Sequence, residues 1–261
     1  MKLCRFVLND APDQARSGIY HDGKIYETDG EKAIGIYDPG KLRLLTPIGT
    51  PPAIRVFQDV RRPSGEDAMT YRFQNVTGLV GANGELGLPP AATGLDFDLH
   101  VVGAISERAE AVELHEGASF VLGYAMMIVA YDPETAGELR ALAVPEDAAF
   151  DFGGALGPYL TTPEDLTEFT IGSDSTRFEW RYRIKVNDVE VAKGAINGLP
   201  PFSSLLHVAS LGRAVLPGEL IAWPRVNKPL LEESPLGRPL VETDRIEAVV
   251  DGLGTLVVRI A

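Results

Sequence analysis

Short strand-like runs separated by glycine and proline dominate this chain and restrict it to a narrow range of folds. The 261 residues include 27 glycines and 19 prolines, scattered along the sequence without repeats. This distribution is typical of a β-rich fold with many turns, because glycine and proline end strands and occupy the turns between them. Near the N-terminus, Asp22-Gly23 separates two such runs and predicts a type I′ hairpin turn.

The run GLDFDLHVVG, residues 94–103, alternates polar and large apolar side chains. Successive side chains of a strand point to opposite faces, so Asp96, Asp98 and His100 would share one face and the apolar residues the other. Two carboxylates held about 7 Å apart on one face repel each other unless a cation lies between them. A divalent metal ion is one explanation and a solvated polar face is the other, and this run alone leaves both open.

The rest of the chain predicts further strands and few helices. The apolar run GYAMMIVAYD predicts a buried strand that ends at Asp132, because Pro133 cannot continue the pairing. Apolar residues at helical spacing predict a short helix over about residues 109–122. The segment RFEWRYRIKVNDVEVAKG predicts a hairpin, and the closing DRIEAVVDGLGTLVVRIA predicts two strands around a glycine turn. The predicted fold class is therefore β-rich α+β.

The proline-containing segment LLTPIGTPPAIRVF is interpreted as a linker. It divides the chain into a small N-terminal β domain, residues 1–50, and a main domain, residues 51–261. A chain of this length can bury a substantial core in one large domain or in a small and a large one.

Composition argues against some classes of partner. The formal net charge of −13 and the sequence pI of about 4.8 argue against nucleic acid or an anionic membrane surface. Cys4 is the single cysteine, so no intrachain disulfide can form. The N-terminus lacks the apolar run of a signal peptide, and the uncharged stretch over residues 117–131 is too short to span a membrane. These features predict a soluble, cytoplasmic protein.

Six motifs follow one another from about residue 50 to the C-terminus. They are LDFDLHVVGAI, GYAMMIVAYD, FDFGGALGPYLTTPEDL, IKVNDVEV, VLPGELIAW and TDRIEAVVDGLGTLVVRI. This order resembles the fumarylacetoacetate hydrolase family, in which a strand with two alternating acids precedes an apolar strand ending in aspartate. The resemblance implies a mixed β-roll with few helices, preceded by a small N-terminal β domain and usually assembled as a homodimer.

The resemblance also implies a metal site. In that family the two alternating acids and the later aspartate bind one divalent cation, usually Mg²⁺, Mn²⁺ or Ca²⁺. The corresponding ligands here would be Asp96, Asp98 and Asp132. Hard cations prefer such oxygen ligands, and the bound ion could polarise the carbonyl of a β-dicarbonyl or 2-oxo acid and stabilise an enolate.

His100 is the candidate catalytic residue of this site. It would lie on the same strand face as Asp98, where it could act as a general base near its ordinary pKa of about 6.5, or as a fourth metal ligand. The alternative is a histidine whose hydrogen bonds are satisfied within a β core.

The sequence departs from the family where water would be activated. The family has a histidine shortly after the linker, whereas this chain has none between His21 and His100. Asp59, Glu66 or Asp67 could act as a base there, but an exposed carboxylate with a pKa of about 4 is a weak one.

Two further departures affect charge stabilisation and substrate binding. The run Ala148-Ala149-Phe150 stands where the resemblance implies a lysine that would stabilise an oxyanion, and AWPRV replaces a threonine-bearing turn. A substrate carboxylate could pair with an arginine, for which the candidates are Arg55, Arg61, Arg62 and Arg225.

Together these features predict a metal-dependent enzyme that acts on a small β-dicarbonyl or 2-oxo acid. The reaction would be C–C bond hydrolysis, or one that needs no activated water, such as decarboxylation, tautomerisation or isomerisation. The alternative is a non-catalytic family member that acts as a binding or scaffold protein.

Overall fold

The computed structural model describes residues 1–30, 32–61, 67–89, 92–230 and 234–261, with the side chains of 59–61 and 67 excluded. Strands make up most of its regular structure, as the glycine and proline pattern predicts. The strands are β1 (Lys2–Leu8), β2 (Ala11–His21), β3 (Lys24–Thr28), β4 (Ala33–Tyr37), β5 (Leu42–Leu45), β6 (Ile54–Arg61), β7 (Asp67–Phe73), β8 (Leu79–Val80), β9 (Gly84–Leu86), β10 (Asp96–Ile105), β11 (Val121–Tyr131), β12 (Gly154–Thr161), β13 (Trp180–Val186), β14 (Val189–Ile196), β15 (Leu220–Ala222), β16 (Arg245–Val250) and β17 (Gly254–Ile260).

Helices are few and short. The α-helices with described bounds are α1 (Pro133–Ala141) and α2 (Phe202–Leu211), and short 3₁₀ turns cover Pro39–Lys41, Gly117–Phe120, Asp147–Phe150 and Pro163–Phe169. No helix in the described ranges is long and apolar enough to cross a membrane.

The strands form two mixed sheets. The larger has the order β4-β3-β2-β1-β12-β11-β10-β15-β6-β7, with β5 added to β1 and β8 added to β12. The smaller has the order β14-β13-β16-β17-β9. Most pairs are antiparallel, whereas β15–β6, β12–β8 and β17–β9 are parallel. This confirms the predicted β-rich α+β class with a mixed roll and few helices.

The alternation predicted for β10 decides which of its side chains enter the main core. Phe97, Leu99 and Val101 pack into the large apolar cluster together with Trp180 and Trp223. On the other face, Val102 joins a second apolar cluster with neighbours from β6, β11 and β15. Asp96, Asp98 and His100 share this second face, because they alternate with the core residues.

Gly103 of β10 illustrates how closely the main core is packed. A Cβ atom added at this position would lie 2.4 Å from the Phe202 ring, which is far inside van der Waals contact. The strand therefore needs glycine here so that helix α2 can approach the sheet.

The N-terminal strands extend the large sheet. Strand β1 pairs with β12 through Lys2–Thr161 and Leu3–Leu160, and β2 and β3 form the predicted hairpin. Asp22 and Gly23 both have positive φ angles, 46° and 76°, as a type I′ turn requires. These strands bury a small apolar cluster of their own, but they also belong to the large sheet. The predicted domain boundary near residue 50 therefore stays a prediction.

Cys4 lies in this N-terminal cluster. Burial raises the pKa of its thiol to about 12, so the thiolate is disfavoured and the side chain acts as an apolar core residue.

The helix predicted over residues 109–122 is wrong. Ala109 forms a bridge with Val215, and the segment continues as turns and a 3₁₀ turn until β11 begins at Val121. Backbone N–H groups here donate to distant partners, such as Val112 N–H to the Ser210 hydroxyl at 3.0 Å. Tertiary hydrogen bonds replace the helical ones, and the apolar spacing reflects contacts with other elements.

Asp244 supports the start of β16. Its carboxylate accepts two hydrogen bonds from Arg238, at 2.6 and 2.9 Å, one from Val241 N–H at 2.9 Å and one from the Asn187 amide at 2.6 Å. These donors, Arg238 first, hold the pKa of Asp244 below its ordinary value. The ionised carboxylate is therefore the form that stabilises the fold.

We expect Asp244→Asn to lower the free energy of unfolding by about 2 kcal/mol at pH 7, because an NH₂ donor replaces one of the two buried oxygens that accept hydrogen bonds and the partly exposed Arg238 loses its counter-charge. Since the folded pKa is depressed, the stabilisation is complete above the ordinary aspartate pKa and is lost as pH falls through the folded value. Urea denaturation of both proteins at pH 7 and near pH 3 measures this difference. Glu247→Gln, which breaks the more exposed pair with Arg245, is the control and should cost less than about 1 kcal/mol. A difference that does not shrink with falling pH would contradict the prediction.

Candidate active site

A cavity of about 1010 Å³ opens on the face of the large sheet that carries the polar side chains of β10. Its walls come from β6, β7, β10, the end of β11, the region of α1 and the segment after β15. Charged and polar groups line it, including Arg72, Asp98, His100, Tyr131, Arg225 and Lys228. Concave sites in which titratable groups converge are the usual location of catalysis.

His100 lines this cavity and has one ring nitrogen without a hydrogen-bond partner among the described residues. Its Nδ1 lies 2.9 Å from the Trp223 carbonyl oxygen, which can only accept, so Nδ1 carries the proton. Burial lowers the pKa of the ring and favours the neutral form. The lone pair is then on Nε2, which is buried and has no hydrogen-bond partner in the described part of the chain. A buried acceptor without a partner indicates a place for a ligand atom or a substrate proton.

Asp96 performs a structural task. It is 1% exposed, and its two oxygens accept from the backbone N–H groups of Phe97 at 2.7 Å and Leu230 at 2.9 Å. Tyr131 also contributes a hydrogen bond. Burial is the main cause that raises the pKa of Asp96 to about 6. Asp96 therefore anchors the segment that ends at Leu230 against β10.

Asp98 is paired with an arginine. Its Oδ1 accepts a hydrogen bond from Arg225 Nη1 at 3.2 Å. Asp98 is nearly buried, whereas the Arg225 side chain is 45% exposed at the cavity mouth. The pair balances charge directly beside His100.

Asp132 caps helix α1. Its Oδ1 accepts from Glu134 N–H at 3.0 Å and its Oδ2 from the Thr135 hydroxyl at 2.6 Å. This is the usual position of an N-cap aspartate, and Pro133 in the first turn fits the same pattern.

The three aspartates are not grouped around a common point for a divalent cation in this arrangement. Asp96 and Asp132 use both oxygens to accept from protein donors, and Asp98 is bound to Arg225. Across the ranges that the structure describes, no group of three His, Cys, Asp or Glu side chains is placed to hold a metal ion. The ligand set Asp96, Asp98 and Asp132 stays a prediction, and we derive no chemical step from a bound ion.

The segment from Trp223 to Leu230 runs along β10 and completes the site. The Asn227 side chain makes the hydrogen bonds to the β10 backbone that a neighbouring strand would make. Its Oδ1 accepts from Leu99 N–H at 2.6 Å and its Nδ2 donates to the Phe97 carbonyl at 2.9 Å. The Val226 N–H donates to the Leu99 carbonyl at 2.9 Å. No local pattern in the sequence indicates the role of Asn227, because its partners lie about 130 residues earlier in the chain.

The remaining candidate residues are dispersed. Arg55 is buried in an ion pair with Glu219 and does not line the cavity. His207, a histidine that was not among those candidates, lies on α2, where its Nδ1 is 2.8 Å from the Val112 carbonyl. Arg62 and Glu66 lie outside the described residues, as do the side chains of Asp59, Arg61 and Asp67.

Arg72 is a cation that the sequence analysis did not single out. It lines the cavity, and it also borders a smaller one together with Ala148, which belongs to the run where the family resemblance implies a lysine. In the sequence, Arg72 is one of the polar residues of the strand-like run MTYRFQNV, residues 69–76, and nothing there marks it as a cavity residue.

Comparison with known proteins establishes the family. The model described as fumarylacetoacetate (FAA) hydrolase C-terminal matches residues 53–261. The match covers most of the chain, so this protein belongs to the fumarylacetoacetate hydrolase family. No curated protein matched the chain.

Solved structures share the whole fold at low identity. A 5-carboxymethyl-2-hydroxymuconate delta-isomerase from Mycobacterium smegmatis has a TM-score of 0.77 and 18% identity, covering 100% of this chain and 98% of its own. A 2-hydroxyhepta-2,4-diene-1,7-dioate isomerase from Mycobacterium marinum has a TM-score of 0.77 and 16% identity, with the same coverage. The fumarylacetoacetate hydrolase from Exiguobacterium antarcticum has a TM-score of 0.77 and 16% identity, covering 100% of this chain and 99% of its own. At these identities the likeness concerns the fold alone.

Proposed function

We propose that this family member is an enzyme that moves a proton at the carbon beside the carbonyl of a 2-oxo acid or β-dicarbonyl compound. The products would be those of tautomerisation or isomerisation. Decarboxylation would form an enolate differently, by loss of CO₂ from the substrate, and that enolate would then take a proton from water. The observation that carries the proposal is the Nε2 atom of His100: the residue lines the cavity, and this atom is buried and has no hydrogen-bond partner among the described residues.

The chemistry follows from the groups around His100. Nε2 accepts the proton from the acidic carbon of the substrate, and the C–H electron pair becomes the enolate. The Trp223 carbonyl keeps the other ring proton in place, which fixes both the tautomer and the ring orientation. Asp98 on the same strand face stabilises the imidazolium that forms. The imidazolium then returns its proton to another atom of the enolate.

Proton transfer is favoured over C–C hydrolysis because hydrolysis also requires a base that activates water. Within the described cavity lining, His100 is the one histidine. The two structurally similar proteins from Mycobacterium are described as isomerases, which agrees in direction with this choice. A small-molecule oxo acid as substrate, a homodimer as assembly and a cytoplasmic location remain proposals.

Proton exchange tests this function without knowledge of the natural substrate. Pyruvate, oxaloacetate and an acylpyruvate are incubated with the protein in D₂O, and the C3 proton signals are followed by NMR. We expect exchange above the buffer rate for at least one of them. Loss of absorbance from the enol or dicarbonyl form reports decarboxylation or cleavage in parallel. No exchange and no cleavage with a folded protein would favour the alternative of a binding or scaffold protein.

We keep a divalent cation, Mg²⁺, Mn²⁺ or Ca²⁺, as a separate proposal. A cation at Asp98 must compete with the Arg225 guanidinium, so Arg225→Gln should bind Mn²⁺ more tightly than the wild type does. The expected result is a rise of several degrees in the melting temperature of Arg225→Gln with millimolar Mn²⁺, and a smaller rise for the wild type. Adding Asp98→Asn should abolish both. No cation-dependent shift in either protein would contradict the proposal.

A further inference from the structure

Arg72 is held rigidly at the wall of the cavity. Its Nη1 donates to the Gln74 side-chain oxygen at 2.6 Å, and its guanidinium carbon lies 4.0 Å from the centroid of the Phe150 ring. Gln74 in turn donates to the Phe150 carbonyl at 2.8 Å. The Phe150 ring stacks on Tyr131, whose centroid is 4.8 Å away. A guanidinium fixed in this way loses little entropy when it binds a ligand.

The charge of Arg72 lacks a close counter-charge. No carboxylate lies within ion-pair distance of it in the described part of the chain, although the side chain is half-buried. Burial lowers the pKa of its guanidinium, against the more distant fields of Asp98, Asp147 and Glu146. Arg55 and Arg225, by contrast, each have a carboxylate partner. A half-buried cation of this kind is stabilised by an anion that enters from the cavity.

The sheet places Arg72 and His100 on one face. Arg72 is opposite Val56, Val56 is opposite Ala222, and Ala222 is opposite Val102. Register partners share a face, so this row crosses three strand spacings, about 14 Å in all, to reach β10 two residues from His100. Arg72, Val56 and His100 all line the cavity, whereas Ala222 and Val102 are buried in the apolar cluster of the sheet. One small molecule in the cavity can therefore contact both ends.

We propose that Arg72 binds a carboxylate of the substrate while the acidic carbon of the same molecule faces His100. The ligand class is a small organic acid with a free carboxylate, and the corresponding ester or amide is rejected. The inference rests on the proposed proton transfer, and it adds the residue that selects the substrate.

Oxalate, which carries two carboxylates and cannot react by proton abstraction, is the probe for binding. We expect Arg72→Gln to weaken oxalate binding, measured by calorimetry, about 10- to 100-fold, because a charge-assisted and bidentate contact is lost. Arg72→Lys keeps the charge but loses the paired N–H donors of the guanidinium, so its oxalate affinity should be intermediate. If the exchange assay finds a substrate, Arg72→Gln should raise KM more than it lowers kcat.

Controls separate binding from folding and from the reaction itself. Arg183→Gln, an exposed arginine of the smaller sheet, makes the same charge change and should leave oxalate affinity unaltered. Thermal melts of each variant verify that the fold is intact, and Arg72→Lys serves if Arg72→Gln does not fold. Oxalate binding that is lost in Arg72→Gln supports the inference even without turnover, in which case only the proposed function fails. Turnover or oxalate binding that is unchanged in Arg72→Gln overturns the inference while leaving the function standing, and so does a wild type that does not bind oxalate.

Discussion

Replacing His100 by asparagine is expected to reduce the rate of C3 proton exchange by about 10²- to 10⁴-fold, the usual contribution of a positioned general base. Asparagine can still donate from its amide to the Trp223 carbonyl, which His100 Nδ1 contacts at 2.9 Å. It lacks the Nε2 atom that would act as the base. The variant therefore tests the base and keeps the hydrogen bond that holds the side chain.

His207→Asn is the matched control for this experiment. This histidine is partly buried, and like His100 it has Nδ1 near a backbone carbonyl, that of Val112, but it lies on α2 outside the cavity lining. We expect its exchange rate to stay within twofold of the wild type. Wild-type exchange in His100→Asn, with a melting temperature close to that of the wild type, would rule out His100 as the base.

Glu219→Ala is expected to lower the free energy of unfolding by about 3 to 5 kcal/mol, because it leaves a buried arginine without its counter-charge. The side chains of Glu219 and Arg55 are 0% and 3% exposed, and they form an ion pair beneath the edge strand β7. The guanidinium carbon also lies 5.6 Å from the centre of the Phe73 ring. Glu219 Oε1 and Arg55 Nε have no hydrogen-bond partner among the described residues, so the pair is incompletely satisfied.

A double variant distinguishes this explanation from a simple cavity. Arg55→Met with Glu219→Leu removes both charges and keeps most of the volume, and we expect it to recover most of the lost stability. Chemical denaturation of Arg55→Met, Glu219→Leu and the double variant gives the coupling energy between the two positions. Equal destabilisation in the double variant and in Glu219→Ala would show that lost packing, and not the isolated arginine, is the cause.

The sequence predicted those parts of the fold that depend on local pattern. The alternation of residues 94–103 identified the apolar and polar faces of β10, and Asp22-Gly23 identified the turn of the β2–β3 hairpin. The helix predicted over residues 109–122 failed because distant partners, such as the Ser210 hydroxyl, take the backbone N–H groups there. Periodicity cannot report hydrogen bonds between segments that are remote in the chain.

The site was predictable in composition but not in the division of roles. Asp96 and Asp98 have the same residue type and the same strand face, yet one is anchored by Leu230 N–H and the other pairs with Arg225. Both partners come from a segment more than 120 residues later, and Arg72 enters from β7 through the order of strands in the sheet. Single-sequence reasoning has no access to such long-range contacts.

The segment from Trp223 to Leu230 has a consequence for how this enzyme can change during evolution. It fixes the proton on His100 through Trp223, supports the β10 backbone through Asn227 and supplies Arg225 to Asp98. An insertion or deletion here would disturb the His100 tautomer, the backbone of β10 and the charge balance at Asp98 at the same time. Divergence in substrate preference is therefore expected to proceed by point substitutions on the opposite wall, around Arg72, where one side chain can change while the rest of the machinery is kept.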